Sequence, residues 1–202
     1  MAKLIFYDDT HRYTVDGEEV PSVSELTRFI TREVYETVPQ TVMDNAGDRG
    51  TKVHKATEAI DKYGSAEIDD DLLCYLQAYV SFLKEKSPEW GKIEWAVNNG
   101  QLYAGTIDRY GELDGKHVIV DIKTTASIGS SHKVLYTAAQ NLYRMAIQSE
   151  HKVDAIYILQ LKKDGKYRLI ELDIDDNLAN ACITLHYSLK KKKKGEKNGR
   201  NN

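Results

Sequence analysis

The residues best suited to chemistry in this chain are Asp108, Asp121 and Lys123. Asp108 closes the stretch Gly105-Thr-Ile-Asp108, and the other two close Val118-Ile-Val-Asp121-Ile-Lys123. Both stretches read as adjacent β-strands. Alternate side chains of a strand share a face, so Asp121 and Lys123 point one way and Ile122 the other. If Asp108 faces the same side, two carboxylates and an ammonium converge. Carboxylates that close repel unless a cation joins them, and hard divalent ions prefer such oxygens. The pattern predicts a metal site for water activation. Gly105 removes a side chain where another backbone or a substrate comes close.

Other residues can extend the site. His54 is a candidate third ligand or an exposed helix histidine, and Glu58 lies one turn further on the same helix face. Glu94 alternates against Ile93, Trp95 and Val97, so it either joins the acidic cluster or faces water. Thr124 and Thr125 either hydrogen-bond phosphate oxygens or serve as plain sheet formers. Carboxylate oxygens suit Mg²⁺ or Mn²⁺, and an imidazole in the shell favours Mn²⁺.

These groups need a scaffold. Residues 3–7 and 11–15, rich in Tyr, Phe, Ile and Val, predict a hairpin or meander, with turns at Asp8-Asp9-Thr10 and Asp16-Gly17. Ser22 and Glu25 form a capping-box signature for a helix. Residues 37–43 read as a loop. Helical periodicity marks a helix over 44–63 stopped by Gly64, and one to about Lys86 capped by Asp69 or Asp70. Strands follow near 91–98, 101–110, 116–123, 153–161 and 166–172, with helices over 134–149 and 176–189. The expected fold class is α/β (α+β), a central mixed sheet flanked by helices. Residues 1–189 form one domain, comprising an N-terminal hairpin and helical part (1–88) and a sheet core (89–189).

The 202 residues, 41% hydrophobic, suffice for one sizeable core. The two cysteines, Cys74 and Cys182, sit in amphipathic patterns as small hydrophobes, and are too few for an iron–sulfur cluster. No apolar run is long enough to span a membrane, and the opening Met-Ala-Lys-Leu-Ile does not read as a signal peptide, so a soluble, cytoplasmic protein is expected. The net charge of −3 is unevenly placed. From Lys190 onward six lysines and Arg200 oppose Glu196, a balance of +6 that leaves −9 for residues 1–189. The acidic body argues against a passive DNA-coating protein. The tail 190–202 is expected to be disordered, either a solvated tail or a weak tether to phosphates.

Four ordered pieces, Arg49-Gly-Thr-Lys-Val-His54, Gly-Thr-Ile-Asp108, Asp121-Ile-Lys123-Thr-Thr125 and Gln140-x-x-Tyr143, together resemble the RecB-type branch of the PD-(D/E)XK nuclease superfamily. The opening Tyr7-Asp-Asp-x-His11-x-Tyr13 with Val20-Pro-Ser-Val23 is similar to phage and prophage exonucleases of that branch. The resemblance spans residues 5–147. It implies a restriction-endonuclease-like core in which Asp108, Asp121, the Ile122 carbonyl and His54 bind the metal, supported by Glu58. Lys123 would position the attacking water, while Gln140 and Tyr143 contact DNA or brace the site. The family separates this Gln and Tyr by three residues and this chain by two, although i and i+3 still share a helix face.

The implied activity is a metal-dependent DNA exonuclease in recombination, repair or phage DNA processing, leaving 5′-phosphate and 3′-hydroxyl ends. It would work inside a bacterial or phage-infected cell, with DNA and a recombination or annealing protein as partners. The alternatives are a non-catalytic nucleic-acid or protein-binding module on a nuclease fold, and a restriction-type endonuclease. No oligomeric interface is legible.

Overall fold

A computed structural model describes residues 3–7, 10 and 12–198 of the chain, with side chains as far as Lys191. Asp8, Asp9 and His11 of the opening motif, and Arg200 of the basic tail, lie outside the described residues.

The N-terminus is an antiparallel meander of β1 (Leu4–Tyr7), β2 (Arg12–Val15) and β3 (Glu18–Val20). Asp16 and Gly17, at φ 52° and 85°, supply the two positive φ values of the tight β2–β3 turn. Tyr13, Val15 and Val20 pack on Ala104, and the Tyr13 hydroxyl shares a 2.9 Å hydrogen bond with Thr106. Ser22 then caps α1 (Val23–Leu26). The Glu25 amide donates to Ser22 Oγ at 3.1 Å, and the Ser22 amide to Glu25 Oε2 at 2.9 Å, which closes the expected capping box. α2 (Arg28–Val34) follows directly.

α3 runs from Gln40 to Tyr63, so the loop expected over 37–43 ends earlier than anticipated. Pro39 sits at its N-cap, where a missing N–H costs nothing, and its fixed φ favours helix entry. Gly64, at φ 77°, stops the helix as expected. α4 (Leu73–Lys86) is preceded by a 3₁₀ turn at Asp70–Leu72. No aspartate side chain caps that turn or α4. Asp69 is engaged instead by Lys52 Nζ at 2.6 Å.

The main sheet has the order β4 (Glu89–Asn98), β5 (Ala104–Leu113), β6 (Lys116–Lys123), β7 (Ala155–Leu161) and β8 (Tyr167–Leu172). Only β6 and β7 pair in parallel, and α5 (Ser130–Ile147) makes the crossover between them. The sheet is therefore mixed and carries helices on both faces, the α/β architecture read from the sequence. β6 is buried on both sides. Val118, Val120 and Ile122 pack towards α3 and α4 with Val53, Tyr79 and Phe82, while Ile119 packs towards α5 with Leu135, Ile156 and Ile158. Each such side chain contributes roughly 1.5–3 kcal/mol by leaving water. Cys182 is buried and Cys74 half-buried, both as free thiols.

α6 (Asp176–Asn198) continues through the lysine run, so the backbone from 190 to 198 is helical where a disordered tail was expected. Lysine is a good helix former, and cations favour a helix C-terminus. No described helix is long and apolar enough to cross a membrane.

Candidate metal centre and active site

The site opens where β5 and β6 part. Their ladder runs from Leu113↔Lys116 to Arg109↔Val120. One step further, the Ile122 amide donates to the Asp108 carboxylate at 2.7 Å instead of to a β5 carbonyl. Beyond that point β6 still pairs with β7 as far as Lys123↔Gln160, so the opening lies on one side only. Lys123 Nζ stands 2.5 Å from Asp121 Oδ2 and 3.5 Å from the Ile122 carbonyl. Asp108, Asp121 and Lys123 thus meet at the fork.

α3 and β4 complete the cluster. His54 Nε2 lies 2.9 Å from the Ile122 carbonyl oxygen, and Nδ1 lies 3.6 Å from Asp108 Oδ2 and 3.7 Å from Glu94 Oε1. Ligand atoms of His54, Glu94 and Asp108 all fall within 4.8 Å of one another. Glu94 takes φ 46° inside β4, whereas Asp16, Ser87 and Asp114, the other non-glycine residues with positive φ among those described, sit in turns or a helix cap. Such a backbone costs about 1–3 kcal/mol and persists only where surrounding contacts hold it.

The charges are strongly coupled. Burial works against a charged His54, yet Asp108 and Glu94 outweigh it and raise its pKa to about 9. Burial likewise pulls the Lys123 ammonium down, but Asp121 and Asp108 more than compensate, so the amine stays protonated. Burial pushes the Asp121 carboxyl up, with Asp108 adding to the rise and Lys123 opposing it. Asp121 Oδ2 is buried and, although close to Lys123, forms no aligned hydrogen bond among the described residues. Gln140 Oε1 is also buried without a partner. An unsatisfied acceptor such as Gln140 Oε1 costs about 1–3 kcal/mol, and a donor on a substrate would relieve it.

Gln140 and Tyr143 approach from α5. Both line a cleft of about 660 Å³ with Asp121 and Lys123. The Tyr143 ring occupies the space that Gly105 leaves, since a Cβ there would stand 2.7 Å from Tyr143 Cε1. The close neighbour implied by Gly105 is therefore this tyrosine. A second cleft of about 950 Å³ contains His54, Glu94 and Asp108 and shares Asp121, Lys123, Tyr136 and Tyr143 with the first.

The remaining candidates line the larger cleft outside the ligand cluster. Glu58 lines the larger cleft but lies outside the cluster, accepting from Lys62 Nζ at 2.5 Å. Thr124 Oγ1 accepts from Arg49 Nε at 3.3 Å. Thr125 Oγ1 donates to the Ser127 carbonyl at 3.1 Å, within its own turn. Arg109, fully buried, went unnoticed in the sequence, as did its partners Thr57 and Asp61, while Tyr79 reads there only as an inward-facing helix residue. A signal existed, because His54, Thr57 and Asp61 recur at helical spacing on one face of α3.

No protein-family model matches the chain, and no curated protein does. Among solved structures, it is similar to an alkaline exonuclease from Laribacter hongkongensis, at 11% identity over 86% of each chain with a TM-score of 0.43. It is also similar to a phage-related exonuclease from Haemophilus somnus 129PT, at 14% identity with a TM-score of 0.40, covering 83% of this chain and 90% of that one. Two exonucleases thus stand among the structures similar to this chain.

The donor set suits a divalent ion. The carboxylates of Glu94 and Asp108, the His54 imidazole and the Ile122 carbonyl gather within a few ångströms.

Proposed function

We propose that this chain is a metal-dependent DNA exonuclease. The observation that carries the reading is the convergence of His54, Glu94 and Asp108 with the Ile122 carbonyl, beside the Asp121–Lys123 ion pair. Asp108, Asp121, His54, Glu94 and the Ile122 carbonyl would hold Mg²⁺ or Mn²⁺. Once bound, such an ion lowers the pKa of a coordinated water from ~15.7 towards neutrality and offsets charge developing on the phosphate.

The protein's own groups do the rest. Lys123 keeps its proton and presents a fixed positive donor to the nucleophile and the scissile phosphate, stabilisation aimed at the transition state. Asp121 orients that ammonium through their 2.5 Å contact. The Ile122 amide holds the Asp108 carboxylate in place. Gln140 offers a buried, unpartnered carbonyl oxygen to a donor on the substrate. Arg49 and Thr124, joined to each other in the lining of the larger cleft, would meet the phosphate backbone.

Digestion of end-labelled linear DNA, single- and double-stranded, against closed-circular DNA tests the reading. Linear DNA should be degraded from its ends with Mg²⁺ or Mn²⁺, EDTA should stop the reaction, and added Mn²⁺ should restore it. Cleavage of closed circles would favour an endonuclease. Activity persisting in chelator, or no activity with either metal, would discard the mechanism.

A further inference from the structure

Beneath the acidic cluster lies a buried cation whose bonding is divided between two carboxylates. Arg109 follows Asp108 in β5 and is fully buried. Its Nε donates to Asp61 Oδ2 at 2.6 Å, and its Nη1 to Glu94 Oε1 at 3.0 Å and to the Asp108 carbonyl at 2.7 Å. Its Nη2 donates to Thr57 Oγ1 at 3.2 Å, and Thr57 donates in turn to the carbonyl of His54. Tyr79 steadies the far end, its hydroxyl 2.6 Å from Asp61 Oδ2 and its ring centroid 5.9 Å from the guanidinium carbon.

A guanidinium removed from water needs a counter-charge, and Asp61, itself almost inaccessible, supplies it. The bond to Glu94 is thus not required for neutrality. Glu94 is also the residue whose backbone is strained, and the same Oε1 atom that accepts from Arg109 faces His54 Nδ1 at 3.7 Å. Arg109 therefore touches the side chain of one candidate ligand, the backbone of a second, and through Thr57 the backbone of a third.

We infer that Arg109 is a positioning residue, holding Glu94, Asp108 and His54 in the spacing a divalent ion requires, with Asp61, Thr57 and Tyr79 fixing Arg109 itself. The inference rests on the proposed metal-dependent reading of the same site. Arg109 is fully buried and lines neither cleft, so it would act through the groups it holds. Outer-layer partners of metal ligands are commonly worth about 10–100-fold in metal affinity.

The test measures Mn²⁺ binding by electron paramagnetic resonance, without DNA, alongside a thermal melt of each variant. Arg109→Gln should raise the Kd for Mn²⁺ by about 10–100-fold, and Arg109→Lys should recover part of that loss. Leu172→Ala, a core change on β8 away from the network, should lower the melting temperature and leave the Kd unchanged. In a Glu94→Ala background, Arg109→Gln should cost less than it does alone, because one of the three ligands it holds is already gone. Should Arg109→Gln fail to fold, Thr57→Val and Tyr79→Phe each remove one hydroxyl from the network and should weaken Mn²⁺ several-fold. A folded Arg109→Gln protein with unchanged affinity would overturn the inference, as would unchanged affinity in both hydroxyl variants or an equal loss with and without Glu94. Absence of stoichiometric Mn²⁺ binding by the unaltered protein would instead overturn the metal reading itself.

Discussion

Gly105→Ala is a one-methyl perturbation whose consequence can be worked from the site. The new Cβ would stand 2.7 Å from Tyr143 Cε1, 3.2 Å from the Tyr143 hydroxyl oxygen and 3.1 Å from Val23 Cγ2. Ordinary contact begins near 3.4 Å, so the half-buried ring must retreat by roughly 0.7 Å. Gly105 is not among the glycines with positive φ, so the cost is steric rather than a matter of backbone conformation.

Overpacking of this kind costs about 1–3 kcal/mol, offset by up to ~1 kcal/mol as alanine restricts the unfolded chain. At ~2–4 °C per kcal/mol for a chain of this size, the melting temperature should fall by a few degrees. A double-mutant cycle isolates the cause. In a Tyr143→Leu background the two ring contacts vanish and only Val23 remains, so the same alanine should cost less than ~0.5 kcal/mol. Urea unfolding of the four proteins gives the coupling directly. An equal cost in both backgrounds, or none in either, would refute the packing argument and with it the placement of Tyr143 over Gly105.

Lys123→Ala should retain the fold while losing about 10²–10³ or more in kcat, since one preorganised donor is worth that much; undiminished turnover by a folded variant would remove Lys123 from the mechanism. The raised His54 pKa has two consequences of opposite sign. In the metal-free protein the protonated ring stabilises the fold fully below about pH 6.5, and that contribution is lost as pH rises through about 9. Metal needs the neutral ring, so Mn²⁺ affinity should increase about tenfold per pH unit up to that range, a slope that calorimetric titrations near pH 7 and 8 would reveal and that His54→Ala should flatten. Ser22→Ala removes one half of the capping box and should cost about 1 kcal/mol, read as a small drop in melting temperature with metal binding intact.

The residues of the fork were legible because strand periodicity is rigid. A period of two puts Asp121 and Lys123 on one side of β6 whatever the rest of the chain does, and the run of Val and Ile around them marks a buried strand. The Ser22 cap, the Gly64 stop and the Asp16-Gly17 turn were equally readable, since each is a local contest between one side chain and its own backbone. Local rules missed at the helix ends. Pro39 opened a helix rather than prolonging a loop, and the lysine run extended α6.

What the amino-acid order determined by itself was which side chains share a face and which segments must be buried, because both follow from geometry repeated along the chain. Only the tertiary structure decided which faces meet. Bringing His54 within 2.9 Å of the Ile122 carbonyl and seating Arg109 between Asp61 and Glu94 are both contacts across different elements. A charged residue in a strand reads as solvent-facing until its buried partners are known, and Arg109 owes its position to an aspartate on a helix far earlier in the chain. Burial of an ion is settled by the whole set of counter-charges around it, a property of the folded molecule that no single segment carries.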